Sequence, residues 1–278
     1  MNARKFLSRN WLDIVSTAVI GTVFLIPFAF TLVIASKPQK EAGLLQFTWP
    51  SKFVLFENIR EVLTFGDGRM LLAFWNSTVL TIFSVVLIVI LSALTAYVMQ
   101  RRQDRLASIA STIMLAGLII PPAVVPTIFV LQWLGIYKTI FSLVMVEVAI
   151  QIPFALLVFR AFMATIPREI DEAAIIDGAS PIQIFFSVIL PLLWPAVVTV
   201  VVITAVTIYN DFTLPLYFLP GAKNVTVQLT LFSFRSQFAQ QWNLLFADVL
   251  LITIPPLIMF IFFQRQIISG MTAGSIKG

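Results

Sequence analysis

The sequence predicts an all-α integral membrane protein with six transmembrane helices. Of its 278 residues, 59% are hydrophobic and only 11% are charged, and the mean hydropathy is +0.99. A soluble domain would carry about 25% charged residues. Apolar runs recur along the chain, and a run of about twenty residues is long enough to cross a hydrocarbon core roughly 30 Å thick. The chain is therefore expected to cross a membrane several times as a single domain.

The apolar runs give the approximate bounds of the six predicted spans. The first run follows basic Arg4, Lys5 and Arg9, as a secretory signal would. It is longer than the apolar core of a signal peptide, which has about 7–15 residues, so we interpret it as a retained helix. The spans are predicted at Leu12–Ala35, Phe74–Met99, Leu106–Leu134, Thr139–Phe162, Val188–Tyr217 and Leu244–Phe263.

The short loops predict that both termini are cytoplasmic. Arg101, Arg102 and Arg105 lie between the second and third spans, whereas the next loop carries only Lys138. Basic residues concentrate on the cytoplasmic side of membrane proteins. This orientation places the loops 36–73 and 213–243 outside. The net charge of +5 is then expected to face anionic lipid and not nucleic acid.

Missing residue types and motifs exclude several kinds of chemistry. The chain has no cysteine and no histidine, which removes thiolate nucleophiles, cysteine metal sites and the commonest general base. It also has no G-x-x-x-x-G-K-[ST] phosphate-binding loop. We therefore expect no cofactor in this chain, and any nucleotide would have to bind a partner.

The predicted cytoplasmic loop 164–187 contains a compact charged stretch, EAAIIDGASPIQ. Pro167 suits the first position of a helix, Gly178 suits a left-handed stop, and Ser180 with Gln183 fits a capping box. Connections between helices usually have about 2–8 residues, so this loop is unusually long. It is either a solvated connection or a pair of short helices that presents isoleucines and small alanines to a soluble partner.

The stretch resembles the EAA loop of the permease subunits of ABC importers. The pattern appears as Glu172-Ala173-Ala174, then Gly178, then Val188-Ile189-Leu190-Pro191. The wider chain resembles the maltose-type carbohydrate permeases, in particular their shorter six-helix partner. That wider resemblance rests on the segments Phe53–Arg60, Asn76-Ser77, Tyr209–Phe212 and Gly270–Gly278.

The resemblance implies a type I ABC importer permease in a bacterial or archaeal plasma membrane, carrying a sugar or related polyhydroxylated solute. It implies a second permease subunit, two ATP-binding subunits and an extracytoplasmic solute-binding protein as partners. The chain itself would not be an enzyme, since ATP and magnesium would bind the partner ATPase. The residues implied in coupling to that ATPase are Glu172, Ala173, Ala174, Asp177, Gly178, Leu190 and Pro191.

Polar residues and prolines inside the predicted spans are candidates for the translocation pathway. An ionised residue near a bilayer centre costs about 2.5–3.5 kcal/mol on insertion scales, so each needs a reason. The candidates are Glu147 in the fourth span, Asn210 and Asp211 late in the fifth, and Pro122 in the third. For Glu147 the alternative is a side chain that is hydrated or paired with Lys138. For Asn210 and Asp211 it is simple hydration at the membrane interface, and for Pro122 it is a proline that only sets the static geometry of the helix bundle.

Two other functional classes compete with the importer subunit. A stand-alone secondary transporter or channel is disfavoured by the coupling loop and by the lack of a detectable inverted repeat. An aspartyl intramembrane protease would need two intramembrane aspartates, and Asp67 lies in a predicted outer loop. The sequence does not identify the solute: oligosaccharides, monosaccharides, polyols and glycerol-phosphate-like molecules all fit the resemblance.

Overall fold

A computed structural model describes residues 3–102, 104–221, 223–231 and 241–273, and these contain helices but no strand. The prediction of an all-α protein is confirmed. A π-helix, Ile184–Ile189, lies between the eighth and ninth α-helices. The α-helices are α1 Ala3–Ala35, α2 Gln39–Ala42, α3 Leu55–Arg101, α4 Arg105–Ala116, α5 Val124–Trp133, α6 Ile140–Met163, α7 Glu169–Ile176, α8 Pro181–Gln183, α9 Leu190–Leu192, α10 Trp194–Tyr209, α11 Thr213–Phe218, α12 Val227–Thr230 and α13 Trp242–Ala273.

Within the described residues, four helical stretches are long and apolar enough to cross a membrane: Val15–Ala35, Gly68–Arg101, Ile140–Met163 and Trp242–Gln264. A fifth span results if the helices on either side of Leu193, which meet at a 77° bend, cross together. A count of six would also need α4 and α5 to form one span. The six-span count and the cytoplasmic placement of the termini stay predictions.

The stretch predicted as the third span is two shorter helices, α4 and α5, separated by the non-helical residues 117–123. Pro121 and Pro122 lie in this break. A proline has no N–H to donate and also disfavours helical geometry in the residue before it. Two consecutive prolines therefore interrupt the helix where the sequence alone suggests a kink.

The stretch predicted as the fifth span is also divided. Its first part bends by 77° between Leu192 and Trp194, and α10 then ends at Tyr209. A new helix, α11, begins at Thr213 because the Asp211 carboxylate accepts hydrogen bonds from the backbone N–H groups of its first turn. The shortest of these, from the Thr213 N–H to Asp211 Oδ1, is 2.8 Å.

The chain divides into two compact units. Unit 1 comprises Met1–Met70 and Thr230–Ile254, and unit 2 comprises Leu71–Leu229 and Pro255–Gly278. The first division falls within α3, just after Gly66 and Gly68, whose φ angles are +59° and +80°. Such left-handed backbone is readily adopted only by glycine.

Buried amide side chains organise unit 1. The Asn58 side chain donates hydrogen bonds to the carbonyl oxygens of Ala35 and Lys37, at 2.7 Å and 3.1 Å. The Asn243 side chain donates in turn to Asn58 Oδ1 at 2.9 Å. The two Asn58 bonds satisfy the carbonyls of Ala35, the last residue of α1, and of Lys37 just beyond it, which have no partner further along a helix.

The core of unit 2 surrounds α6. Helix α6 packs against α10, α4 and α11, and the core is filled by large apolar side chains that include Ile88, Leu143, Phe159, Phe185 and Ile208. Helices α4 and α6 come close where Gly117, the residue that ends α4, faces Pro153. A Cβ atom on Gly117 would lie 3.0 Å from Pro153 Cγ and 3.2 Å from the Met114 carbonyl oxygen.

Replacing Gly117 with leucine is expected to destabilise the packing of α4 on α6. Overpacking a close contact of this kind typically costs about 1–3 kcal/mol, which thermal unfolding of the purified protein in detergent would register as a lower Tm. Gly21→Leu is the matched control, because a Cβ atom at Gly21 meets nothing within 4 Å. Equal melting temperatures for the two variants would contradict the close approach.

Candidate functional site

The segment that carries the EAA pattern folds as a short helix, a left-handed turn and a second helix. Helix α7 ends at Ile176, and Gly178 follows with φ +81°. The N–H groups of Gly178 and Ala179 each donate a 3.0 Å bond to a carbonyl of α7, those of Ile175 and Ala174. The sequence-based prediction that Gly178 ends the helix is confirmed, because this backbone conformation favours glycine.

Helix α8 begins with the predicted capping box. The Ser180 hydroxyl accepts a bond from the Gln183 N–H, and Gln183 Oε1 accepts one of 2.8 Å from the Ser180 N–H. The prediction for Pro167 is wrong, since α7 begins at Glu169 and is preceded by Arg168. The first turn closes on the Arg168 carbonyl, which accepts from the N–H groups of Asp171 and Glu172, so Pro167 lies outside the helix.

Most of the residues implied in coupling lie on one exposed surface. Glu172, Ala173, Asp177 and Gly178 are exposed, whereas Ala174 packs partly against the core. Three isoleucines around them are also open to solvent: Ile175 is 62% exposed, Ile176 86% and Ile182 72%. We call the set Glu172, Ala173, Ile175, Ile176 and Ile182 the α7 surface.

Leu190 and Pro191 are not part of the α7 surface. They lie in α9, on the other side of the π-helix, where Leu190 packs partly against the core and Pro191 is exposed. The C-terminal segment of the resemblance also stands apart: Gly270–Ala273 end α13, and residues 274–278 lie outside the described residues.

Sequence reasoning missed the contact that holds α7 in place. Arg101, the last residue of α3, forms a 2.6 Å ion pair with Asp171 of α7. The same guanidinium donates to the carbonyl oxygens of Ile166 and Pro167, at 3.2 Å and 3.3 Å. Both charged side chains are largely buried, so the pair is shielded from solvent and more constrained than a surface pair.

Aromatic rings pack beside this ion pair. The Arg101 guanidinium carbon lies 6.0 Å from the centre of the Tyr97 ring, and that ring lies 5.8 Å from the ring of Phe185. Phe185 is buried in the π-helix that follows α8. Helix α7, the π-helix and the end of α3 are thus packed together around Arg101.

Two of the pathway candidates meet. Glu147 of α6 is only 1% exposed, and its carboxyl group lies close to that of Asp211, in the turn after α10. Neighbouring Asn210 accepts a 3.2 Å bond from the Gln228 side chain. The alternative partner of Glu147, Lys138, instead has its ammonium 5.6 Å from the Tyr137 ring centre.

A cavity of about 240 Å³ lies beside these polar residues. Val146, the residue before Glu147, and Leu214, in the first turn of α11, line it together with Pro122, Thr127 and Phe218. The structure therefore brings Glu147 and Asp211 together, while Pro122 lines the adjoining cavity and neither carboxyl residue is part of its lining. Asn210 lies next to Asp211 and is exposed.

Comparison with known proteins identifies the family. Residues 68–273 match the model of the family described as "Binding-protein-dependent transport system inner membrane component". The inner membrane ABC transporter permease protein YcjP of Escherichia coli (strain K12) is 31% identical over 266 residues, covering 94% of each chain. The melibiose/raffinose/stachyose import permease protein MelC of Bacillus subtilis (strain 168) is 29% identical, again over 94% of each. The diacetylchitobiose uptake system permease protein DasC of Streptomyces coelicolor is 30% identical over 99% of each.

The fold agrees with this assignment. A chain in the crystal structure of a bacterial ABC transporter that imports the acidic polysaccharide alginate matches with a TM-score of 0.81 at 19% identity, covering 95% of this chain and 98% of that one. The family match decides against a stand-alone secondary transporter or channel. The chain belongs to the inner membrane components of binding-protein-dependent transport systems, as a multi-pass, non-catalytic permease subunit of an ABC importer whose ATP is hydrolysed by a partner.

Proposed function

We propose that the chain forms half of the translocation pathway for a sugar or a related polyhydroxylated solute and is coupled to ATP hydrolysis through the α7 surface. The solute class is supported by the names of its relatives, which include transporters of melibiose, of diacetylchitobiose and of starch degradation products. The coupling role is carried by one observation: an exposed apolar surface on a short helix that a largely buried ion pair connects to the end of α3.

The α7 surface has the composition of a docking site. Exposed isoleucines gain free energy when a partner covers them, and Ala173 allows the backbone of another chain to approach closely. The implied partners are two ATP-binding subunits, which would bind ATP and magnesium, with a second permease subunit beside this one and an extracytoplasmic solute-binding protein. Coupling then requires only that the closed ATPase favours one arrangement of α7, and with it one state of the pathway.

The pathway contribution rests on the neighbourhood of Glu147, Asp211 and Asn210. Carboxyl and amide groups accept and donate hydrogen bonds to hydroxyl groups, and a polyhydroxylated solute that leaves water needs such partners. In this proposal the break at Pro122 shapes the adjoining cavity, since it ends α4 and allows α5 to begin in a new direction.

The test is a double variant of the coupling residues, Glu172→Ala with Gly178→Val, in the transporter assembled with its partner subunits. A β-branched residue cannot readily adopt the positive φ of Gly178, so the turn after α7 should change. We expect solute-stimulated ATP hydrolysis to fall at least about tenfold, equivalent to about 1.4 kcal/mol.

The matched control is Glu57→Ala with Gly135→Val. Glu57 is also an exposed glutamate in the first turn of a helix, but that helix is α3 and not α7, and Gly135 has φ +70° in a turn outside this segment. The control should keep its activity if the effect depends on the α7 surface. Normal assembly and normal stimulation in the first double variant would contradict the coupling role.

A further inference from the structure

The membrane-length part of α3 is held at both of its ends by largely buried polar contacts. At one end, Arg101 contacts Asp171 and the carbonyl oxygens of Ile166 and Pro167 in the segment that contains α7. These contacts connect the end of α3 to the segment that carries the α7 surface. A displacement of α7 would therefore displace Arg101.

At the other end, hydrogen bonds connect α3 to the loop 223–227. The Asn76 side chain donates to the carbonyl oxygens of Val225 and Lys223, at 2.9 Å and 3.3 Å. The Ser77 hydroxyl accepts a 3.0 Å bond from the Val227 N–H. Asn76 and Ser77 are buried, so these bonds are protected from competing water.

The helix between the two anchors is suited to transmit movement. It contains neither proline nor glycine from Asn76 to Arg101, which are the usual causes of a sharp kink. At about 1.5 Å per residue this stretch is roughly 37 Å long, more than the thickness of a hydrocarbon core. Helix α10, by comparison, is separated by a 77° bend from the helical segment that precedes it.

We propose that α3 from Asn76 to Arg101 is a rigid rod that couples the position of α7 to the position of the loop 223–227, with Arg101 as the residue that positions α7. This inference rests on the proposed function of α7 in coupling. The loop leads directly into Gln228, whose side chain contacts Asn210 beside the carboxyl pair. Nucleotide binding on the partner would thereby change the polar end of the pathway, and by reciprocity an event at that end would change nucleotide affinity.

A fluorescence measurement on the assembled transporter in lipid nanodiscs tests the rod. The chain has no cysteine, so Lys223→Cys provides a single labelling position once exposed cysteines of the partner subunits are replaced. The Lys223 side chain is exposed and only its backbone carbonyl contacts Asn76. Addition of magnesium with a non-hydrolysable ATP analogue is expected to change the emission of an environment-sensitive dye at this position.

The decisive variants interrupt one anchor at a time. Arg101→Ala and, at the opposite end, Asn76→Ala are each expected to reduce the emission change, the latter because it removes two of the three bonds between α3 and the loop. Asn76→Ala leaves every contact of Arg101 in place, so it decides the question even if Arg101→Ala impairs assembly. The charge exchange Arg101→Asp with Asp171→Arg should recover part of the response, which a loss of folding alone would not do.

The matched control is Arg102→Ala. Arg102 is the next residue and carries the same charge, but its side chain is 65% exposed and its ion-pair partner is Asp104, at 3.4 Å. This variant should respond as the unmodified transporter does. An unchanged emission response in Asn76→Ala, or no emission response in the unmodified transporter, would contradict the proposal that α3 acts as a rigid rod.

The same assembly separates this inference from the proposed function. If Glu172→Ala with Gly178→Val keeps solute-stimulated ATP hydrolysis, the coupling role of α7 is wrong and the rod falls with it. If that variant is uncoupled while Arg101→Ala and Asn76→Ala keep the emission change, α7 couples by another route and only the rod is wrong.

Discussion

Aspartate in place of both Ile175 and Ile176 is expected to release the ATP-binding subunits from the permease. These side chains are the most exposed apolar groups of α7, and a buried interface would have to desolvate the new carboxylates without a partner for them. Loss of a single central anchor commonly costs about 2 kcal/mol or more, which is roughly a 30-fold weaker complex. Two adjacent losses should prevent stable association.

The measurement is co-purification of the ATP-binding subunits with the permease, followed by solute-stimulated ATP hydrolysis. The leucine double variant at the same positions is the control, since it keeps the apolar area and the side-chain volume. Retention of the subunits by the aspartate variant would show that the exposed isoleucines do not form the docking site. Loss in both variants would point to a defect in α7 itself.

The turn that presents this surface was predictable because its causes are local. A serine, a proline and a glutamine in the right order specify a helix start, and a glycine after a helical run specifies its end. The capping box at Ser180 and the positive φ of Gly178 follow from a dozen consecutive residues. Ile175 and Ile176 are the last two residues of the helix that this turn ends, and both are exposed.

The anchor of α7 was not predictable in the same way. Arg101 and Asp171 are 70 residues apart in sequence and each has a sufficient local explanation, the first as a cytoplasmic basic residue and the second as an acid near a helix start. Nothing in the pattern around either residue indicates that they meet. Their pairing also changes the local structure, because the Pro167 carbonyl faces Arg101 and α7 starts later than the proline suggests.

Hydropathy also fails to show where an apolar stretch is broken. Residues 117–123 and the bend at Leu193 lie inside long apolar runs. A continuous helix and an interrupted helix of the same composition have the same mean hydropathy. The prolines mark these places in the sequence. Whether a proline kinks a helix or divides it depends on the neighbours that can satisfy the freed carbonyl groups, and that is a tertiary property.

The carboxyl pair of Glu147 and Asp211 is a further tertiary feature. The sequence proposes each residue separately for the pathway, and the alternative for Glu147 is a contact with Lys138 or with water. In the structure, α6 packs against α10 and α11, and this packing brings the side chains of Glu147 and Asp211 close together. Two carboxyl groups in contact can form a hydrogen bond only when one of them carries a proton, since two ionised groups repel each other.

Glutamine and leucine at position 147 are therefore expected to behave differently. Glutamine can donate its amide hydrogen to Asp211 and keeps the contact, so Glu147→Gln should retain most of the transport activity. Leucine leaves Asp211 without its partner beside the cavity, and the loss of a hydrogen bond to a charged group costs about 1.5–3 kcal/mol. For Glu147→Leu we expect solute uptake to fall roughly tenfold or more while the transporter still assembles.

Uptake of labelled solute into proteoliposomes that contain the complete transporter provides the measurement. Glu57→Leu is the matched control, because it removes an exposed glutamate from the start of α3 and should have little effect. Transport by Glu147→Leu at the unmodified rate would exclude the pair from the pathway. A fall of the same size in Glu147→Gln would instead show that a titrating acid is required there, because the amide preserves the hydrogen bond but cannot exchange the proton.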